Sequence, residues 1–167
     1  MAETKTLILN PKEVDQKIKR IAHQILEEYH IEKKIIFAGI SKNGFLLAKH
    51  LCKEFQAHSN IKVELTEILI NKEKPLSDTV SHQPKVDLKN QTVILIDDVL
   101  NSGKTLMYAA SHIIDHNIRR MNTIVLIDRR HRKFPIKADW VGLTLSTTLQ
   151  EHITVEFLKT KIEVYLH

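Results

Sequence analysis

Cysteine is nearly absent, Cys52 being the only one in 167 residues. A disulfide framework is therefore impossible, and so is a zinc site built on paired cysteines. The expected compartment is a reducing one, with the cytosol as the default. Glycine and proline are scarce, four of each, which excludes collagen-like and low-complexity chains. No apolar run approaches the roughly 20 residues of a membrane helix, and the opening Met-Ala-Glu-Thr-Lys lacks a secretory hydrophobic segment. These exclusions leave the pattern of a soluble, cytoplasmic chain without membrane contact. One domain over residues 1–167 is expected, long enough to bury about two-thirds of the surface its unfolded form exposes. Lys and Arg number 25 against 20 Asp and Glu, a formal net charge of +5. Such a surplus raises the question of an anionic partner without identifying one.

Along the chain, short apolar runs alternate with amphipathic segments. Asn10 followed by Pro11 reads as a helix cap with proline in the first turn, and Glu13 suits the positive helix end. Val14, Ile18, Ile21, Ala22, Ile25 and Leu26 then recur at helical spacing. Residues 34–40 (KIIFAGI) form a nearly continuous apolar run, as in a strand covered on both faces. Gly44 introduces a second amphipathic segment with Phe45, Leu46, Ala48 and Leu51 on its apolar side, and residues 61–70 alternate in part like a strand. The pattern dissolves between 71 and 90, a stretch read either as a surface loop or extended hairpin or as a lid over substrate. Residues 92–96 (TVILI) carry the strongest buried-strand signal, and a helix bearing Leu106, Ala109, Ala110, Ile113 and Ile114 follows. Further strands are expected at 123–127, 153–158 and 162–166. This alternation predicts an α/β fold with a doubly wound, mainly parallel sheet flanked by helices.

The 92–96 strand runs into Asp97-Asp98 and then Asn101-Ser-Gly-Lys-Thr105. A helix start offers unpaired N–H groups and a positive dipole end to a phosphate. Ser102, Gly103 and Thr105 add hydroxyls and close backbone approach, while two carboxylates can accept hydrogen bonds from vicinal sugar hydroxyls. The carboxyl end of a central strand is also where open α/β sheets bind ligands. A phosphorylated sugar fits these groups together. A P-loop does not, because its first glycine would have to stand where Asp98 stands, and a carboxylate there would face the phosphates.

Residues 93–105, VILIDDVLNSGKT, resemble the phosphoribosyl-pyrophosphate (PRPP) signature of the type I phosphoribosyltransferases. Residues 18–25 (IKRIAHQI), 39–51 (GISKNGFLLAKHL), 126–135 (LIDRRHRKFP) and 138–142 (ADWVG) resemble, in order, segments of the pyrimidine-operon attenuator and uracil phosphoribosyltransferase branch. Ser-Thr-Thr at 146–148 and the alternating 153–157 segment continue the likeness. The resemblance implies the type I phosphoribosyltransferase fold with a small hood from the chain ends. It implies that Asp97 and Asp98 are catalytic and bind the ribose hydroxyls, and that Val99, Leu100, Asn101, Ser102, Gly103, Lys104 and Thr105 complete the PRPP loop. A pyrophosphate loop falls on Ser41, Lys42, Asn43 and Gly44, where the attenuator branch would carry a Thr-Arg pair before the glycine. Lysine lacks arginine's bidentate fork. The implied cofactor is Mg²⁺, held mainly through PRPP, and the implied partners are PRPP and a free nucleobase, uracil before a purine. Asn101 stands where purine-specific members often carry an aspartate that assists the base nitrogen. Trp140 is implied to stack on the base, Val141 to offer backbone groups to its edge, and Asp128 and Arg129 to join that pocket. A homodimer or higher homo-oligomer is expected.

Two other groupings stand apart from that site. His112 and His116 have the four-residue helical spacing of zinc ligands. No third ligand is evident in the sequence, and the acid between them is Asp115 rather than the glutamate of an H-E-x-x-H helix, so a solvated helix face is expected. Arg129-Arg130-His131-Arg132-Lys133 is the densest basic run and reads first as a charged loop. The resemblance implies instead an RNA face containing His131 and Arg132 together with Lys19, Arg20 and His23. No aromatic-rich RNA-binding signature accompanies it.

Overall fold

A computed structural model of the chain describes residues 5–71 and 79–167. The elements run β1 (Thr6–Leu9), α1 (Pro11–Tyr29), β2 (Lys34–Ile40), α2 (Ser41–His58), β3 (Lys62–Leu69), β4 (Ser81–Gln83), β5 (Thr92–Leu100), α3 (Lys104–Ile114), β6 (Arg120–Asp128), β7 (Trp140–Thr144), β8 (Ile153–Phe157) and β9 (Ile162–Leu166). Six strands form the main sheet in the order β4-β3-β2-β5-β6-β7, in which only the short edge strand β4 is antiparallel to its neighbour. The second sheet, β1-β9-β8, is antiparallel and joins the two ends of the chain into the expected hood. Among the described residues no helix is long and apolar enough to cross a membrane.

Local sequence explains the first helix. Asn10 Oδ1 accepts the Glu13 N–H at 3.0 Å while Glu13 Oε2 accepts the Asn10 N–H at 2.8 Å, a reciprocal capping box in front of Pro11. Such a cap contributes about 1 kcal/mol. The apolar stripe behind it packs with α2 on one face of the sheet, whereas α3 covers the other face. Strands β2 and β5 lie between these layers, which is why their sequences are apolar at consecutive rather than alternate positions. Each fully buried aliphatic side chain there contributes roughly 1.5–3 kcal/mol.

Three details depart from the sequence pattern. Helix α2 starts directly at Ser41 and buries Gly44, Leu47, Ala48, Leu51, Cys52 and Phe55, so Leu47 rather than Leu46 faces the sheet. Strand β5 continues through Asp97 and Asp98 to Leu100, because those residues still ladder with β6: Asp97 lies opposite Val125 and Val99 opposite Ile127. The featureless stretch is partly ordered, since β4 pairs with β3 at Ile68↔His82 and Leu88 is buried. The hairpin reading holds for that portion, and the lid reading falls on residues 72–78, which lie outside the described residues.

Candidate functional site

Alternation along β5 separates the two acidic residues. Ile94 and Ile96 belong to the core beneath α1 and α2, Val93 and Leu95 to the core beneath α3, so the strand period sends Asp97 and Asp98 to different faces. Both are nearly buried, at 4% and 7% exposure. Asp97 lines a cavity of about 270 Å³ together with Val99, Leu100 and residues 101–106, and its Oδ1 accepts the backbone N–H of Asp98 at 3.0 Å. Asp98 turns toward α2, where Asn43 Nδ2 donates to its Oδ2 at 2.8 Å, and its Oδ1 accepts its neighbour Val99's N–H at 3.0 Å.

The far wall of the cavity is the start of α3. Its cap residue Gly103 is left-handed, φ +86°, and has no side chain to cap the helix. Glycine adopts that conformation without a steric cost. The Ser102 hydroxyl accepts the Lys104 N–H at 3.2 Å, and Lys104 and Thr105 border the cavity. A helix N-terminus whose cap residue has no side chain, beside a lysine, presents its remaining first-turn N–H groups and positive charge to an anion. Sequence reasoning did not foresee what holds this loop from behind. The backbone N–H groups of Lys133 and Phe134 donate to Ser102 O at 2.9 and 3.2 Å, and a Cβ on Gly103 would meet Ile136 at 2.8 Å.

The second loop arrives by an unusually close helix crossing. A Cβ on Gly44 would lie 2.5 Å from Ile96 O, so only glycine lets the first turn of α2 rest on the end of β5. Ser41 takes a left-handed φ of +52°, and its hydroxyl donates to Ile70 O at 3.3 Å. Such a conformation in a non-glycine residue costs of order 1 kcal/mol and is held by its surroundings. Asn43 and Gly44 thus join the two acids, while Ser41 and Lys42 border an adjoining open cleft with Glu67 and Ile70.

Of the residues assigned to a base pocket, Asp128 and Arg129 adjoin the cavity wall at Leu100: Asp128 lies opposite Leu100 in the ladder, and the Arg129 N–H donates to Leu100 O at 3.0 Å. Trp140 packs edge-on against Tyr29, centroids 6.3 Å apart, in the core beneath α1, and does not border the Asp97 cavity. Strand β7 begins at Trp140, whose neighbour across the ladder is the buried Ile124. Val141 is likewise engaged, since its carbonyl and that of Gly142 each accept Arg20 Nη2 at 2.9 Å. Asp128 holds the following loop, accepting the Arg130 N–H at 2.8 Å and pairing with Arg132 at 3.4 Å. Arg129 is only 4% exposed and donates to Thr147 Oγ1, Thr148 O and Glu151 O. The Thr148 N–H in turn holds the Glu151 carboxyl below the usual carboxylate range.

These contacts make Arg129 the anchor of the loop leading into β8, whose Val155 carbonyl reaches Asn43 Nδ2 at 3.5 Å. Replacing Arg129 by Met keeps the volume but removes three charge-assisted hydrogen bonds, each worth roughly 1.5–3 kcal/mol. The expected outcome is a lower urea midpoint together with faster hydrogen exchange at residues 147–151. An unchanged midpoint would free Arg129 for a direct ligand role.

Of the basic residues assigned to an RNA face, Lys19, Arg20 and His23 are exposed, and His131 and Arg132 are half-buried. Arg20 and Arg132 are tied into the fold as described, and His131 Nε2 lies 2.5 Å from Thr147 O. His23 bonds Lys19 O at 2.8 Å, and Lys19, half exposed, pairs with Asp15 at 2.8 Å.

Comparison with known proteins gives a consistent result. Residues 6–158 match the family model of the phosphoribosyl transferase domain. The chain is 31% identical to the "bifunctional protein PyrR" of Macrococcus caseolyticus over 171 residues, covering 97% of this chain and 98% of the relative. It is 35% identical to the protein of that name from Clostridium acetobutylicum, covering 90% and 89%. In fold it is similar to the hypoxanthine phosphoribosyltransferase of Trypanosoma cruzi, with a TM-score of 0.76 at 18% identity and 95% of each chain covered. A hypoxanthine-guanine phosphoribosyltransferase from Bacillus anthracis superposes with a TM-score of 0.73 at 23% identity, covering 86% and 84%.

Proposed function

The chain belongs to the type I phosphoribosyltransferase family, near the pyrimidine-operon attenuator and uracil phosphoribosyltransferase branch, and from that premise we propose that it transfers the 5-phosphoribosyl group of PRPP to uracil with release of pyrophosphate. The observation that supports this reading is the Asp97 cavity: a buried carboxylate and a helix N-terminus face one space across residues 101–105. The 5-phosphate sits at the start of α3, against the Ser102 and Thr105 hydroxyls and Lys104. The ribose diol lies over Asp97 and Asp98, and the pyrophosphate lies toward residues 41–44.

When the base nitrogen displaces pyrophosphate from C1, positive charge develops on the sugar and negative charge on the leaving group. Asp97 and Asp98 are placed for the first of these, and Lys42 for the second. Asn43 orients Asp98, and the close Gly44 crossing keeps the pyrophosphate loop beside the diol. Carboxylate oxygens are the hard donors that Mg²⁺ takes, so the site suits the family's cofactor. When bound, Mg²⁺ neutralises charge on the leaving pyrophosphate. Asn101 carries no carboxylate to accept a proton from a purine nitrogen, which supports a pyrimidine acceptor.

Pyrophosphate release with PRPP, Mg²⁺ and one base at a time tests this reading. Release with uracil, and little with hypoxanthine or guanine, is expected. Release with a purine alone would replace the substrate assignment. If no base reacts while PRPP still binds, transfer is not the function. A second reading, a nucleotide-sensing RNA attenuator of pyrimidine genes, draws support from the word "bifunctional" in the names of both relatives. It requires binding to a pyrimidine-operon leader RNA that weakens steeply with salt.

A further inference from the structure

Away from the carboxylates, three histidines from two distant segments converge. His82 lies on β4, whereas His112 lies in the last turn of α3 and His116 in the turn that follows it. One ring nitrogen from each falls within 4.8 Å of the others, and the three rings are mutually 4.9, 5.1 and 5.3 Å apart between centroids. We propose that these three imidazoles form a binding site for a zinc-class divalent transition ion, distinct from the Mg²⁺-PRPP site.

The geometry supplies the reason. Zn–N bonds of roughly 2.0–2.1 Å put two tetrahedral ligand nitrogens about 3.3 Å apart. His82 Nδ1 and His112 Nε2 are 3.0 Å apart, so a few tenths of an ångström of opening admits the ion between them. At His116, Nδ1 lies 2.8 Å from the carbonyl of His112, which can only accept. That contact places the proton on Nδ1 and leaves the Nε2 lone pair for a metal, as a carbonyl partner does at established zinc histidines.

The donor chemistry agrees. Burial is the main reason that the His82 and His112 rings resist protonation, with Lys85 and the neighbouring histidines adding to it and Asp115 opposing it at His112. A metal takes the neutral imidazole. Three nitrogens with no carboxylate among them select zinc, copper or nickel over magnesium. Water completes the shell. Such an ion would tie the three-residue edge strand β4 to α3, whose opposite end carries the phosphate loop.

The test uses the untagged, full-length protein, freed of metal with a chelator and titrated with Zn²⁺ alone by calorimetry and with Co²⁺ by visible absorption. One ion per chain, the intense visible bands of tetrahedral Co²⁺, and a thermal midpoint that climbs with Zn²⁺ concentration are expected. His112→Gln and His116→Gln should each weaken Zn²⁺ binding by at least the roughly 10–100-fold seen on loss of an outer-shell partner. Asp97→Asn/Asp98→Asn should leave it intact. His112 and His116 are both only part-buried, so their variants remain informative if a substitution at the buried His82 prevents folding. Absence of binding, binding indifferent to the histidine variants, or binding lost only with the aspartates would each overturn the assignment.

Discussion

Replacing both acids at the end of β5 by their amides, Asp97→Asn with Asp98→Asn, is expected to lower kcat/KM for PRPP by at least 10²–10³-fold, the range measured when one group aimed at developing transition-state charge is removed. The shape of the site should survive. Asparagine keeps a carbonyl oxygen for the Asp98 N–H that Asp97 now receives and for the Val99 N–H that Asp98 receives. The Asn43 bond to Asp98 Oδ2 is the contact most directly lost, at about 1 kcal/mol. Steady-state kinetics beside a urea titration separates the two effects. Turnover near wild type in a folded double variant would falsify the placement of the ribose over these carboxylates. The single variants are also informative, because Asp97 faces the cavity and Asp98 faces α2: Asn at 97 should act mainly through substrate, and Asn at 98 partly through the position of Asn43.

The largest stability loss is expected from a single methyl group, in Gly39→Ala. A Cβ at Gly39 would stand 2.4 Å from Phe45 Cα, 2.6 Å from Gly44 O and 2.6 Å from Phe45 N. All three are backbone atoms, so no side chain can rotate away and α2 itself must lift from β2. Inserting a methylene into a packed core commonly costs about 1–3 kcal/mol, and a clash with backbone on this scale belongs at or above the upper end. The urea midpoint should fall with an unchanged slope. Because the lifted turn carries Asn43 and Gly44, KM for PRPP should rise as well. A midpoint equal to wild type would show that α2 is free to slide, and would remove the argument that close glycine crossings hold the pyrophosphate loop in place.

Some of this site was legible before any coordinates. The capping signal at Asn10, Pro11 and Glu13 and the apolar run at 34–40 are short-range patterns, and the corresponding elements begin and end close to where those patterns do. The Asp97–Thr105 signature was likewise contiguous. What the sequence does not reveal is whatever depends on partners distant along the chain. Strand β7 has too short an apolar run to stand out, yet it pairs with β6 and receives Arg20 from α1. The motif around Trp140 points to a base platform, and only the structure adds the edge-on contact of its ring with Tyr29 at the end of α1. Arg129 sat in a run of five basic residues that suggested solvent, and the three acceptors that bury it come from residues 147–151.

By itself, then, the sequence determined the alternation of the principal strands and helices, their parallel α/β character, and one loop in which two acids precede a glycine and a helix start. Those properties follow from periodicity and backbone chemistry acting over a few residues. The tertiary structure alone decided which acid faces the cavity, which histidine completes the pair at 112 and 116, and which arginine is structural rather than exposed. Each of those outcomes depends on strand register and on a crossing between elements tens of residues apart. His82 shows this plainly: it is thirty residues before His112, and only the pairing of β4 on β3 brings its ring nitrogen to 3.0 Å from its neighbour.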